Sequence, residues 1–143
     1  EHAIRDGAAE IDMVMRLDLA KSARWNEVQA DISTVVNAAQ GSRVKVILET
    51  GLLTPLEIEN ACKASEAAGA AFVKTATGFL GRGATLEDIA LMRKFTSMKM
   101  EIKASGGVKT AEQAWAMIKA GATRIGTSSG VALVSGETSR ESY

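Results

Sequence analysis

The sequence predicts an α/β fold in which short parallel strands alternate with helices. Short apolar runs rich in β-branched residues recur along the chain, and an amphipathic helical segment separates each run from the next. A phrase also repeats: D-G-A-A-E-I-D, A-G-A-A-F-V-K and A-G-A-T-R-I-G each place a glycine and small residues just before a strand. Repeated strand–helix units with right-handed crossovers produce a parallel sheet with helices on the outside.

Five runs have the length and composition of buried strands. They consist mainly of valine, isoleucine, threonine and other apolar or small residues, bounded by glycine or polar residues. Strands of a parallel sheet covered by helices are expected to have this composition. The predicted strands are 10–15, 44–50, 71–77, 101–105 and 123–127.

The segments between the strands carry the start and stop signals of helices. Thr54-Pro55-Leu56-Glu57 combines a capping box with a proline at the first helical position, and Gly69 ends that helix. The predicted helices are 22–40, the segment from Thr54 to Gly69, a segment that starts at Thr85, the segment from Thr110 to Gly121, and a short run after Gly130.

Length and charge indicate one domain, residues 1–143, that binds small molecules. The chain is 46% hydrophobic and 24% charged, which is typical of a globular domain with a buried core. Seventeen basic and 17 acidic residues cancel, so neither nucleic acid nor an anionic membrane is an expected partner. No apolar run approaches the ~18 residues that span a bilayer and no signal-peptide pattern is present, so we expect a cytoplasmic protein.

Cysteine and histidine usage argues against a disulfide and against a zinc site. Cys62 is the one cysteine and cannot form an internal disulfide. His2 is the one histidine, so the sequence has no cluster of cysteine and histidine ligands for zinc. We therefore expect no metal and no cofactor.

Two lysines interrupt apolar strands: Lys74 in F-V-K-T-A-T-G-F and Lys103 in E-I-K-A-S-G-G-V. A doubly wound sheet has helices on both faces and cannot easily satisfy an inward ammonium, whereas a (β/α)8 barrel can hold polar side chains near the mouth of its lumen. The lysines therefore favour a barrel. Strand alternation places one polar set on the inward face, namely Asp12, Lys45, Lys74 and Lys103.

One interpretation of this inward set is an internal salt-bridge network that only satisfies itself. Glu101 and Arg124 also point inward, near the starts of their strands. We expect these two side chains to pair across the floor of the barrel.

The other interpretation is a nucleophilic lysine. A lysine amine attacks carbonyls only when it is neutral, and two ammonium groups on neighbouring strands lower the pKa of at least one of them. Attack of the neutral amine on a carbonyl gives an iminium, which is an electron sink. An enzyme without zinc needs such a sink to break or form a carbon–carbon bond beside a carbonyl. The pattern indicates class I aldolase chemistry.

Glycine turns after the last two strands predict an anion site. Gly106-Gly107 directly follows the strand of Lys103, and Gly126-Thr127-Ser128-Ser129-Gly130 follows the last strand and opens a short helical run. Backbone N–H groups in such turns bind phosphate, and barrels often place a phosphate site at the loops after strands seven and eight. We therefore expect a phosphorylated ligand.

These motifs together resemble deoxyribose-phosphate aldolase. F-V-K-T-A-T-G, I-K-A-S-G-G-V-K-T and R-I-G-T-S-S-G, preceded by E-I-D-M-V and V-K-V-I-L-E-T, are similar to that family over essentially the whole chain. The resemblance implies that Lys74 forms the Schiff base, that Lys103 tunes its protonation, and that Asp12 takes part in proton relay.

The resemblance also implies which residues contact the substrate. Lys45 is a further candidate, and Tyr143 resembles the C-terminal tyrosine that some members fold over the site. The chain departs from several members at Phe79, where they carry lysine or another polar residue. The implied contacts to substrate and phosphate are Thr77, Gly78, Gly106, Gly107, Gly126, Ser128 and Ser129.

The strand count differs from that of the family's barrel. A (β/α)8 barrel takes about 200 residues or more, and the five predicted strands correspond to the family's strands four to eight. The start of the chain reads as the end of a helix entering a strand, so we expect a truncated or processed product that lacks three βα units. The unpaired edges of such a sheet predict a homo-oligomer, or pairing with the missing N-terminal segment.

The reaction that the resemblance implies is cleavage of 2-deoxy-D-ribose 5-phosphate to D-glyceraldehyde 3-phosphate and acetaldehyde. The expected partners are therefore this sugar phosphate and acetaldehyde. Two alternatives stay open: an inactive sugar-phosphate binding or assembly module, and a different Schiff-base aldolase built on a phosphate-binding barrel.

Overall fold

The computed structural model describes residues 1–135, so Tyr143 lies outside the described residues. No helix in this range is long and apolar enough to cross a membrane. The elements in chain order are α1 (His2–Arg5), β1 (Glu10–Val14), α2 (Leu17–Lys21), α3 (Trp25–Ala38), β2 (Arg43–Ile47), α4 (Pro55–Ala67), β3 (Phe72–Lys74), α5 (Leu86–Lys94), β4 (Glu101–Ser105), α6 (Ala111–Ala120), β5 (Arg124–Gly126) and α7 (Gly130–Ser135), with a 3-10 turn (Thr50–Leu52) after β2.

The five strands are parallel, and their order in the sheet is their order in the chain. A doubly wound sheet reverses its strand order at a switch point, whereas a barrel places each new strand beside the previous one. The predicted fold class, an α/β partial barrel, is confirmed by this topology.

The sheet curls strongly enough to bring side chains of its first and last strands into contact. In a flat sheet, the four intervals between β1 and β5 would separate them by roughly 19 Å. Instead, Glu10 Oε2 on β1 lies 2.6 Å from Arg124 Nη1 on β5. The inward face of the sheet therefore forms the wall of a lumen.

The outward faces of the strands form the hydrophobic core with the helices. On β2, Val44 and Val46 point outward and are buried, and the inward Lys45 lies between them. Burial of each such aliphatic side chain contributes about 1.5–3 kcal/mol. The helix residues in this core include Val28, Ile32, Ile58, Ile89 and Met92.

The capping signals predicted from the sequence are formed. The Thr54 hydroxyl accepts from the Glu57 N–H, and the Glu57 carboxylate accepts from the Thr54 N–H. Thr110 and Gln113 form the same reciprocal pair at the start of α6. These bonds satisfy backbone donors that a helix start leaves without an intrahelical partner.

The predicted helix 22–40 is wrong at its start. α2 ends at Lys21, and α3 begins only at Trp25. Between them Ala23 has a left-handed φ of 54°, which an α-helix cannot contain.

Four of the predicted strands are longer than the observed ones, and two of them extend well past the observed end. The run 44–50 ends as a strand at Ile47, because Glu49 has a left-handed φ of 57° and the 3-10 turn follows it. The run 71–77 is a strand only over Phe72–Lys74. The ends of these runs belong to the loops at the mouth of the lumen.

Candidate active site

Lys74 and Lys103 lie side by side on the inward face. Lys74 is the last residue of β3 and Lys103 is the middle residue of the neighbouring strand β4, and the two are direct partners in the parallel register. The Lys74 ammonium donates to Asp12 Oδ2 on β1 at 2.8 Å. The fold thus brings together the three residues that the sequence predicts as the reacting centre.

Asp12 is the shared acceptor of two lysines. Its other oxygen, Oδ1, accepts from Lys45 at 2.7 Å. Partial burial acts to raise the pKa of Asp12, but the hydrogen bonds from Lys45 and Lys74 outweigh it and lower that pKa to about 2. Asp12 is therefore a carboxylate at neutral pH.

Lys45 is the most buried of the inward lysines, with 5% of its surface exposed. Its ammonium also contacts Glu10 Oε2 at 2.8 Å, so two carboxylates neutralise it. Lys45 is held below the mouth, where it can orient Asp12.

Lys103 forms no ion pair with a carboxylate of residues 1–135, unlike Lys74 and Lys45. Burial, and then the positive charge of Lys74, lower the pKa of Lys103. The prediction that the lysine pair lowers at least one pKa is confirmed, and the affected group is Lys103.

The predicted pairing of Glu101 with Arg124 is wrong. Arg124 pairs with Glu10, and Glu101 pairs with Arg43 on β2. The curl of the sheet decides these partners, because it brings Glu10 of the first strand to Arg124 of the last. A self-satisfied network therefore exists at the floor, but Lys103 is not part of it.

A cavity of about 560 Å³ opens at the C-terminal ends of β3, β4 and β5. Both Lys74 and Lys103 line it. Arg82 and Lys109, which the sequence interpretation did not select, line it as well. The predicted phosphate-site residues that line the cavity are Thr77, Gly78, Gly106, Gly107, Gly126 and Ser128.

The glycine turns present backbone donors to this cavity. Gly106 and Gly107 have φ of 84° and 79°, a region that favours glycine. The N–H groups of Gly78, Gly107 and Ser128 have no acceptor among residues 1–135. Such groups can bind the oxygens of an anion.

Gly126 is required for steric reasons. A Cβ at this position would lie 2.5 Å from Ser105 Oγ and 2.9 Å from Lys103 Cε. The absence of a side chain therefore leaves room for Lys103 to extend across β5.

Thr77 is tied to the protein by its hydroxyl. Its Oγ1 donates to Glu49 at 2.6 Å and accepts from the Phe79 N–H at 3.1 Å. Because the hydroxyl proton is donated to Glu49, the Thr77 hydroxyl can only accept a hydrogen bond from a ligand and cannot donate one. Glu49 was not selected from the sequence, although a carboxylate after an apolar run in V-K-V-I-L-E-T was a visible signal.

Ser129 and Phe79 differ from the other loop residues. Ser129 is buried, its N–H bonds Thr127 Oγ1 at 3.0 Å, and it does not line the cavity. The Phe79 side chain is 89% exposed at the rim. A phosphate contact from Ser129 stays a prediction.

Comparison with known proteins decides the family. The family model of DeoC/LacD family aldolases matches residues 1–136. The chain belongs to this aldolase family. The fold of this chain is also that of solved relatives: QR15, an aldolase, has a TM-score of 0.89 and 41% identity over 94% of this chain and 61% of its own. A deoxyribose phosphate aldolase from Aeropyrum pernix has a TM-score of 0.84 and 33% identity over 92% of this chain and 56% of its own.

Curated relatives of this chain extend beyond the aligned region. The deoxyribose-phosphate aldolase of Staphylococcus epidermidis (strain ATCC 12228) is 55% identical over 141 residues, which are 99% of this chain and 64% of that protein. The enzyme of the same name from Lactococcus lactis is 52% identical over 144 residues, 100% of this chain and 65% of that protein. The chain thus spans slightly less than two thirds of these relatives' length.

Proposed function

We propose that this aldolase cleaves 2-deoxy-D-ribose 5-phosphate to D-glyceraldehyde 3-phosphate and acetaldehyde through a Schiff base on Lys74. The observation that carries the proposal is the lysine pair: Lys103, with a lowered pKa and no carboxylate partner among residues 1–135, faces Lys74, which Asp12 holds at 2.8 Å. Such a pair can activate one amine for attack on an aldehyde.

Lys103 in its neutral form is the base that activates the nucleophile. It takes a proton from the Lys74 ammonium, which leaves Lys74 neutral and Lys103 charged. Asp12 holds Lys74 in place and stabilises the positive charge that returns when the iminium forms.

The neutral Lys74 attacks C1 of the open-chain sugar, and loss of water gives the iminium. Asp12, through water, accepts the proton of the C3 hydroxyl as the C2–C3 bond breaks, and glyceraldehyde 3-phosphate leaves. The electron pair of the broken bond forms an enamine on Lys74. Asp12 returns the proton of the C3 hydroxyl through water to C2, and hydrolysis of the iminium so formed releases acetaldehyde and restores the Lys74 amine.

The phosphate end of the substrate is assigned to the glycine turns. Gly78, Gly107 and Ser128, whose N–H groups find no acceptor in the described part of the chain, line the same cavity as the lysines, and Lys109 adds a positive charge beside them. A sugar phosphate does not cross a bilayer unaided, so the proposed reaction belongs inside the cell. A homo-oligomeric state is proposed in addition, from the open sheet edges described above.

The direct test is cleavage of 2-deoxyribose 5-phosphate by the 143-residue chain. We expect glyceraldehyde 3-phosphate and acetaldehyde in equal amounts, and no product with Lys74→Arg, since a guanidinium stays protonated and cannot add to a carbonyl. Binding of the sugar phosphate without either product would support the binding-module alternative. Cleavage of a different sugar phosphate alone would support another Schiff-base aldolase.

A further inference from the structure

Glu49 is a buried carboxylate that the proposed reaction does not use. It follows the end of β2, and none of its surface is exposed. Its backbone has φ 57° and ψ 56°, the left-handed conformation that is strained for a non-glycine residue. Strain of this kind persists only where surrounding contacts hold it.

Within residues 1–135, the hydrogen bonds to the Glu49 side chain all come from Thr77. The Thr77 N–H donates to both carboxylate oxygens, at 3.3 and 3.2 Å, and the Thr77 hydroxyl donates to Oε2 at 2.6 Å. No ion pair is formed by Glu49 within residues 1–135. Both donors are neutral groups of one residue, and the bond from the hydroxyl is shorter than either bond from the N–H, so the Thr77 hydroxyl is the main anchor of the buried Glu49 carboxylate.

Thr77 lies in the loop between β3 and α5, and residues 77–79 and 81–83 of this loop form one wall of the cavity. The far end of the loop is fixed by backbone contact: a Cβ at Gly83 would lie 2.3 Å from the Gly106 carbonyl, and the Ala84 N–H donates to Gly106 O at 3.0 Å. The loop is thus held by Glu49 at one end and by the Gly106 turn at the other.

We propose that Glu49 is a positioning residue for the phosphate end of the cavity. By taking both donors of Thr77, it turns the chain so that the next N–H, that of Gly78, is left free on the cavity wall beside the Gly106–Gly107 turn. The ligand it serves is a phosphate monoester, a point that rests on the proposed function.

The direction in which Glu49→Gln changes phosphate affinity distinguishes a positioning role of Glu49 from a purely electrostatic one. If Glu49 acted on a bound phosphate only through its own negative charge, Glu49→Gln would remove a repulsion and tighten phosphate binding. A positioning role predicts the opposite, since glutamine cannot accept from both Thr77 donors as strongly. We expect about tenfold weaker binding, the usual effect of losing a charge-assisted hydrogen bond.

The experiment is an amide NMR titration of the 143-residue chain with inorganic phosphate, read at Gly78 and Gly107. The parent should show saturable shifts at both amides, and Glu49→Gln should weaken the apparent affinity about tenfold. Glu59→Gln is the matched control, because it removes the same charge from an exposed pair with Lys63 on α4. This control should bind as the parent does.

Glu49→Gly guards against misfolding, because glycine relieves the left-handed strain while removing the carboxylate. It should fold and still bind phosphate more weakly than the parent. Thr77→Val, which removes the hydroxyl, should weaken binding as well. The double variant of Glu49→Gln and Thr77→Val should bind no more weakly than the worse single variant, since both changes break one contact.

Unchanged or tighter phosphate binding in Glu49→Gln and Glu49→Gly would overturn the proposal, and so would a parent chain without saturable shifts. Borohydride trapping of acetaldehyde on Lys74 involves no phosphate, so Glu49→Gln should leave it unchanged. Loss of trapping in the Glu49 variants would mean a general structural role and would also overturn the proposal. Absence of trapping in the parent chain would contradict the proposed aldolase reaction only, because the role of Glu49 is tested by the phosphate titration.

Discussion

At the residue level, the positively charged side chains on the inward face differ in whether they contact a carboxylate. Arg43, Arg124, Lys45 and Lys74 each contact a carboxylate, and Lys103, among the residues that the structure describes, does not. A cation without a counter-ion in a partly dry site loses its proton more easily. That difference, and not burial alone, separates Lys103 from Lys45 and Lys74.

Replacement of Lys103 by leucine should move the pH profile of Schiff-base trapping to higher pH. The lowered pKa of Lys103 makes it a neutral base at a pH where an ordinary lysine is protonated, so trapping by the parent rises through that lowered pKa. Without this base the rise should need higher pH, by on the order of one unit. Trapping rates measured between neutral and alkaline pH check this.

Lys63→Leu is the control for the same charge change on an exposed helix face. Its trapping profile should coincide with that of the parent. An unshifted profile in Lys103→Leu would mean that another group deprotonates Lys74.

At the level of elements, the sequence predicts best what is decided locally. Every predicted strand exists and its inward residues follow from a side-chain period of two, because alternation needs no knowledge of the partner strand. The Thr54 capping box lies within four residues, so it too could be seen in advance.

Features decided by distant neighbours could not be predicted. Arg124 pairs with Glu10, 114 positions away, only because the sheet curls. The left-handed residues Ala23 and Glu49 divide one helix and end one strand, and the Glu49 side chain is held by Thr77, 28 positions away. The lysine pair and the glycines that the sequence predicts for the site line one cavity. The supporting contacts made by Glu49 and Glu10, in contrast, could not be predicted.

The Thr54 cap should be worth a measurable part of the stability. Thr54→Ala removes the hydroxyl that accepts from Glu57 N–H, and we expect a loss of about 1 kcal/mol in the free energy of unfolding. Urea denaturation measures it. Thr34→Ala is the control, because that hydroxyl only bonds Ala30 O within an exposed helix turn; equal losses in both variants would contradict the assignment.

At the level of the whole molecule, the sheet has two open edges. Within residues 1–135 no strand pairs with the outer side of β1 or of β5, and Val14 on the β1 edge is 47% exposed. Open edges with exposed apolar groups pair readily with another chain. We propose that residues 1–143 form one incomplete barrel domain whose edges are covered by association.

Light scattering of the 143-residue chain should therefore give a mass above that of one chain. Association should depend on concentration, as pairing at an edge does. A monodisperse monomer with full aldolase turnover would contradict this expectation and would show that the arc of five strands is sufficient.

The central claim is that Lys74 is the nucleophile, and borohydride reduction in the presence of acetaldehyde tests it most directly. We predict that mass spectrometry of the digested chain finds one added ethyl group, located on Lys74, and that Lys74→Arg carries none. An adduct on Lys103 in the parent, or an adduct retained elsewhere in Lys74→Arg, would contradict the claim.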